Sequence, residues 1–351
     1  MASDPLVPAT AGTGAEPSRP AIGLVLGGGG IAGYAFHCGV VATLERAGFD
    51  PRTAELIIGT SAGSIVGSLL RGGVTAVTIR DRLLDGLDDP DEMAKIRLLA
   101  GRSRQAVPRL WAGPGSPTLA LTELRKGRGL RLTRRATGLL PHGRLDFEPV
   151  TGPLRVLFGT TWPRRALWLP ATELDSGRRV VFGRDLHPPV DEAVAASAAL
   201  PGFFAPARIG DQSYVDGGIG SPFNADLAIG HRSADGRRLD LVIVAAPLSL
   251  GRVDRTAPLN SLARALPRRR LQAEVDLLRR AGMPVLTLEP NRASARAMGL
   301  NPMDHNNLDE IIERVGEMVG RRLARASAEV RSVLDRAKQL ESPPAVPYPN
   351  G

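Results

Sequence analysis

Ser61 lies in Gly59-Thr60-Ser61-Ala62-Gly63, between the apolar run Leu56–Ile58 and a second apolar run from Ser64 to Leu70. A serine on a sharp strand-to-helix turn, with glycine two residues away on each side, presents an exposed nucleophile. The reason for the spacing is steric. Such a turn strains the serine backbone and pushes the hydroxyl into a cleft, and only small flanking residues let strand and helix approach that closely. The helix behind the serine also aims its positive end at the place where negative charge would develop. A bare five-residue match of this kind also occurs in Gly-Ser loops without chemistry, so the partners decide.

Acyl transfer needs oxyanion donors and a base beside the nucleophile. The donors are expected from Gly28, Gly29 and Gly30, in a loop of four consecutive glycines that ends at Gly33 after Ile31 and Ala32. Glycines let that backbone approach a tetrahedral intermediate with no side chain in the way. The same loop also fits the dinucleotide fingerprint Gly-x-Gly-x-x-Gly, with Asp50 near the ribose-binding distance. Against that reading, Asp50 precedes Pro51 and the next strand, whereas a ribose acid should end the strand. What ends it is the Ser61 turn.

The base is harder to place. The histidines are His37, His142, His187, His231 and His305, and none sits in a local sequence built to hold it. Asp216 is the better candidate. It ends a short strand and is followed by Gly217 and Gly218, a position that projects its carboxylate into a cleft at the strand ends. Partial desolvation there would raise its pKa and let it accept the serine proton. Taken alone, Asp-Gly-Gly also reads as a plain β-turn.

The elements that must position these residues follow from periodicity. Ile22–Leu26 reads as a buried strand, the stretch from about Tyr34 to Ala47 as a helix closed by Gly48, and Leu56–Ile58 as the next strand. This β–loop–α–β–turn–α order predicts a parallel α/β arrangement with its site at the carboxyl ends of the strands. Further strands are expected at Val156–Phe158, Ala166–Thr172, Arg179–Phe182, Gln212–Val215, Leu239–Ala245 and Val285–Glu289. Helices are expected at Ala76–Leu87, Asp91–Leu99, Asp191–Ala199, Leu271–Arg280, Leu308–Leu323 and Ala326–Leu340.

At 351 residues and 43% hydrophobic, the chain is long enough for one large α/β domain. The formal charge is +9, and lysine occurs only as Lys95, Lys126 and Lys338, so the excess is carried by arginine. Arginine suits bidentate phosphate contacts, which points to a phospholipid surface or a nucleic acid, or else to a solvated surface with no partner. Nine basic residues between Arg102 and Arg135 face a single acid, Glu123, with Leu110, Trp111 and further leucines between them. That stretch reads equally as an interfacial element on anionic lipid and as a solvated helical insertion with its leucines inward. A single cysteine, Cys38, excludes an internal disulfide framework. No apolar run spans a membrane and no signal pattern opens the chain, so a cytoplasmic protein, soluble or peripheral on the membrane, is expected. There is no His/Cys cluster and no carboxylate run with calcium-loop spacing, so no metal or cofactor is called for. Residues 1–20 and 342–351 lack periodicity and read as disordered tails.

Three motifs in this order, Gly28–Gly33, Gly59–Gly63 and Asp216–Gly218, resemble the patatin-like phospholipases. The segment from Asp191 through Ala199-Leu200-Pro201-Gly202 to Pro206 is also similar to the one that precedes the family's aspartate strand. The resemblance covers about residues 21–325, with 74–143 as a variable helical, Arg-rich insertion and 326–341 as a C-terminal helix. It implies a three-layer α/β/α fold with a mainly parallel sheet, a Ser61–Asp216 dyad without histidine, and hydrolysis of acyl esters in lipids. It implies no nucleic-acid partner. Ala32 departs from the family's Arg or Lys at that position, and the stretch from Gly33 to Gly39 is one residue longer than the commonest form. Two rival readings stay open at this point. One is a Ser–His–Asp esterase using His231 or His305. The other is a non-catalytic basic protein that binds membrane or nucleic acid through residues 102–135.

Overall fold

The computed structural model describes residues 19–88, 147–251 and 258–349. Its centre is β1 (Ile22–Leu26), with β2 (Leu56–Gly59) paired to it in parallel on one side and β7 (Leu241–Ala245) in parallel on the other. β3 (Ala166–Glu173) extends the sheet beyond β2 and β8 (Val285–Leu288) extends it beyond β7, both in parallel. The sheet order is β5-β6-β3-β2-β1-β7-β8. β4 (Arg179–Phe182), β5 (Ala207–Ile209) and β6 (Gln212–Asp216) form the antiparallel edge. A parallel core with an antiparallel edge is common in doubly wound sheets.

Strand residues alternate between two faces, and both faces are apolar. Ile22, Leu24, Leu26, Ile57 and Ile243 pack against α1 (Gly30–Arg46), α2 (Ala62–Arg71), α9 (Leu308–Ala324) and α10 (Ala328–Ala337). Val25, Leu56, Ile58, Val242 and Val244 pack the other way, against α7 (Ala265–Arg280) and the 3₁₀ turn at Ala225–Gly230. The result is the expected three-layer α/β/α fold. Strands buried on both faces read as continuous apolar runs, which is how β1, β2 and β7 appear in the sequence.

Several boundaries differ from expectation. α1 starts at Gly30, earlier than Tyr34, because Gly29 and Gly30 take up the turn themselves; Gly30 has φ +61°. Val156–Phe158 is the end of helix α4 (Glu148–Phe158), not a strand. Leu154 and Phe158 are buried while Val156 is 67% exposed. In a strand all three would share a face; in a helix only the first and last do. α3 (Ala76–Asp88) and α5 (Val190–Ala198) fall where expected, and α6 (Pro258–Ala263) and α8 (Arg292–Met298) were not foreseen. The helix expected at Asp91–Leu99, the basic stretch 102–135 and most of the N-terminal tail lie outside the described residues.

The Pro-rich end also departs from the expected tail. Residues 341–349 have irregular backbone but are packed along the domain. Pro344 O accepts from Arg52 Nη1 at 3.3 Å, and Val346 N–H donates to Gly73 O at 3.0 Å. Tyr348 then lies against the first helical layer, with the Arg82 guanidinium 5.8 Å from its ring centroid.

Candidate active site

Ser61 joins β2 to α2 with φ 53° and ψ −121°. That backbone region is strained for any residue with a Cβ, typically by about 1–3 kcal/mol. Its surroundings hold it there. Gly63 N–H donates to Thr60 O at 2.9 Å, Ser64 N–H to Ser61 O at 2.8 Å, and Ser61 N–H to Ser197 Oγ at 3.3 Å. Ser197 Oγ–H in turn donates to Pro170 O at 2.8 Å, which ties the turn to β3. A Cβ on Gly63 would sit 2.0 Å from Leu26 O, so only glycine lets α2 start this close to β1. The Ser61 side chain does not cap its own helix, which leaves the hydroxyl available.

Sheet register brings Asp216 to the same place. Ile58 pairs with Trp168, so three residues further on, Ala171 of β3 comes level with Ser61. Ala171 pairs with Asp216 at the end of β6. Asp216 is 3% exposed. Its Oδ1 accepts from Gly218 N–H at 2.7 Å, and its N–H donates to Ala199 O at 3.0 Å. Gly217 is required because a Cβ there would lie 2.2 Å from Pro170 O. Burial pushes the Asp216 carboxyl up to about 6, against the pull of the Gly218 N–H and the Ser61 hydroxyl.

The glycine loop lies over Ser61. A Cβ on Gly28 would come 3.4 Å from Ser61 Cβ. Of the three expected donors, Gly28 is already engaged: its N–H donates to Pro222 O at 2.7 Å. Gly27 is likewise held, by Ala245 O at 3.0 Å. The Gly29 and Gly30 N–H groups meet no backbone carbonyl among the described residues. Gly33 closes the loop by donating to Gly29 O at 2.8 Å. Ala32 N–H donates to Pro302 O at 3.0 Å, so a main-chain bond steadies the loop where the sequence lacks a basic side chain.

His37 is a residue whose part was not visible in the sequence. Its Nε2 lies 2.6 Å from Gly27 O, so the ring donates to the loop's first carbonyl. Burial drives its pKa down to about 4, so the imidazole is neutral and serves as a fixed donor. Asn224 is another such residue: its Nδ2 donates to Thr60 Oγ1 at 3.1 Å and to Ser221 O at 2.7 Å. His37 reaches back ten positions from α1 to its own loop, whereas Asn224 joins segments 164 positions apart.

Among the described residues, no histidine lines the cavity at Ser61. His231 lies 3.6 Å from Glu55, which precedes β2 at the end opposite Ser61, roughly 20 Å away at strand rise. His187 packs edge-on against Trp162. His305 is not among the residues lining the cavity at Ser61, and His142 lies outside the described residues. Asp50 is consumed by Arg52, with 2.8 Å between Oδ2 and Nη2, and both side chains are buried. That pairing leaves no acid for a ribose. Among the described residues no group of His, Cys, Asp and Glu is arranged to hold a metal ion.

A cavity of about 220 Å³ opens at Ser61. Ile65, Leu69, Leu83, Val150, Phe204 and Met303 give it an apolar wall, and Tyr34 and Tyr348 line it as well. Phe147 stacks on Phe204 with 4.0 Å between ring centroids. The arrangement sets a hydroxyl, a buried carboxylate and uncommitted N–H groups at the end of an apolar slot.

Known proteins share parts of this chain. The "Uncharacterized NTE family protein" of Mycobacterium tuberculosis and that of Mycobacterium bovis are each 30% identical over 226 residues, 60% of this chain and 49% of theirs. The "Lysophospholipase NTE1" of Scheffersomyces stipitis is 48% identical over 65 residues, 18% of this chain and 4% of that protein. The chain thus spans about half the length of the mycobacterial relatives and far less of the yeast protein. VipD from Legionella pneumophila aligns with a TM-score of 0.42 at 17% identity, over 88% of this chain and 67% of that one. The model of the patatin-like phospholipases matches residues 24–229, more than half of the sequence and all three motifs, so the chain belongs to the patatin-like phospholipase family.

Proposed function

We propose that the protein is a lipid acyl hydrolase, of phospholipase A or lysophospholipase type, that works through Ser61 and Asp216. The observation that carries this reading is the buried carboxylate of Asp216, its pKa raised to about 6, facing the hydroxyl of a serine on a strained turn. Ser61 Oγ attacks the ester carbonyl and its proton passes to Asp216. The N–H groups of Gly29 and Gly30, with that of Ala62 at the start of α2, hold the oxyanion. Asp216 returns the proton to the departing alcohol. Water then attacks the acyl-serine, again giving a proton to Asp216, and the fatty acid leaves as Ser61 is restored. The cavity takes the acyl chain. The membership of the family and the yeast lysophospholipase relative support a lipid substrate.

A fluorophosphonate probe tests the nucleophile. It is expected to label the wild type and not Ser61→Ala; labelling that survives the substitution would remove Ser61 from the role. The histidine-dependent rival is tested alongside. His231→Ala and His305→Ala are each expected to keep turnover within roughly threefold of wild type, where loss of a triad base costs about 10⁴-fold or more.

Tyr348 bears on substrate length. It walls the cavity from the packed C-terminal segment, so Tyr348→Ala lengthens the slot. Turnover of a 12-carbon ester relative to a 4-carbon ester is expected to rise roughly tenfold, about the effect of two newly buried methylenes. An unchanged chain-length profile on a p-nitrophenyl ester series would show that Tyr348 sets no limit.

A further inference from the structure

α6 and α7 carry the chain over from β7 to β8. Both strands are parallel, so α6 begins at the carboxyl end of the sheet, where the glycine loop and Ser61 lie. Arg264, at the junction of the two helices, fixes this position. It is buried and donates to Pro247 O at 2.6 Å and Ser249 O at 3.1 Å. The Pro247 ring in turn lies within 2.9 Å of where a Cβ on Gly29 would be. The start of the α6–α7 unit is therefore one loop away from the oxyanion glycines.

Its outer face is apolar. Leu259, Leu262 and Leu266 are 70%, 72% and 71% exposed, while the inner face of α7 buries Leu271, Val275 and Leu278. Within α7, at about 100° per residue, Leu266, Arg269 and Arg280 fall on one outward stripe with Leu266 nearest the site, and Leu259 and Leu262 are the exposed leucines of α6. Arg269 and Arg280 are exposed and, among the described residues, neither forms an ion pair. An outward leucine tip backed by unpaired arginines on a chain of net charge +9 is complementary to a surface with an apolar interior and anionic head groups.

We propose that the Leu259–Leu262–Leu266 face is a docking surface for anionic phospholipid membranes, and that it seats the mouth of the Ser61 cavity against the bilayer. This rests on the reading of the protein as a lipid hydrolase, and it places the interfacial element on α6–α7. The leucines enter the head-group layer while Arg269 and Arg280, on the same stripe of α7 as Leu266, meet phosphates. Among the described residues no helix is long and apolar enough to cross a membrane.

The test is co-sedimentation with vesicles of phosphatidylcholine alone and of phosphatidylcholine with phosphatidylglycerol. Beside it, hydrolysis of vesicle lipid and of a soluble short-chain ester is measured. Wild type is expected to bind the phosphatidylglycerol vesicles preferentially. The triple variant Leu259→Ser, Leu262→Ser, Leu266→Ser is expected to bind them roughly tenfold less and to lose vesicle hydrolysis in proportion, with soluble-ester turnover unchanged. Unchanged soluble turnover also shows that the variant is folded. Should it not fold, Arg269→Glu with Arg280→Glu, on exposed positions, makes the same comparison. Equal vesicle binding by variant and wild type overturns the proposal. So does a wild type that binds neither vesicle, or a dimer that becomes monomeric in the variant. Absence of any Ser61-dependent ester hydrolysis would instead count against the hydrolase reading, since sedimentation does not depend on it.

Discussion

Replacing Ser61 by alanine is expected to lower kcat/KM on acyl esters by roughly 10⁵-fold or more, with the fold intact. The magnitude follows from what else could attack. Of the residues lining the cavity, Ser61 carries the aliphatic hydroxyl; Tyr34 and Tyr348 bring phenols, and burial pushes that of Tyr34 well above its usual range. Ser64 is fully buried and its hydroxyl is spent on Ser61 O at 2.6 Å. Cys38 is buried too, and burial pushes its thiol far above the range in which a thiolate forms. Alanine keeps the Cβ and hence the backbone strain, so the urea midpoint should move little. Turnover within tenfold of wild type would mean that the chemistry lies elsewhere.

Asp216→Asn is expected to separate activity from stability. Asparagine can still accept the Gly218 N–H, but it cannot take a proton from Ser61, and turnover should fall by about 10³–10⁴-fold. Stability should move the other way at neutral pH. A folded pKa of about 6 against the ordinary carboxyl value of 3.8 means that the folded protein holds this proton more tightly than the unfolded chain. Below about pH 4 both states are protonated and burial carries no charge penalty. As pH rises through 6 the folded state must bury a carboxylate, at a cost of about 3 kcal/mol for a shift of this size. The variant is free of that penalty. It should therefore exceed wild type in stability by about 1–3 kcal/mol at pH 7.5, with the gap closing as pH falls to 4. Urea unfolding at the two pH values measures it, and wild-type activity should rise with pH through about 6. A variant less stable than wild type at pH 7.5 would show that Asp216 is held as a structural carboxylate.

Much of this candidate site was legible as local motifs read together and with a family resemblance, because its main parts are local. The strand, turn and helix around Ser61 need small residues within a five-residue window, and Asp216 with its two glycines is equally compact. Sequence could not say which loop N–H groups are occupied. Gly28 is taken by Pro222, nearly two hundred positions away, and only the folded sheet brings them together. The same holds for Asn224 on Thr60, 164 positions away. Val156–Phe158 resembled a strand because three consecutive apolar residues fit either period, and burial of Leu154 with Phe158 settles the matter. The end of the chain misled in the opposite direction. Prolines remove periodicity, yet Val346 and Tyr348 each find a seat on the domain without it.

The dihedral angles at position 61 have a bearing on how such a protein could drift. Among the described residues three non-glycines have positive φ: Ser61, Asn224 and Asn307. The two asparagines sit in the left-handed helical region, which their side chains tolerate. Ser61, at ψ −121°, does not share that shelter. Glycine there would relieve strain, and Ser61→Gly should raise stability by about 1 kcal/mol, readable as a higher urea midpoint, while ending turnover. A lineage released from the need for catalysis would thus find a stabilising mutation at the proposed nucleophile itself. Loss of activity in this architecture is downhill, and a serine kept at this angle is held there against the fold's own preference.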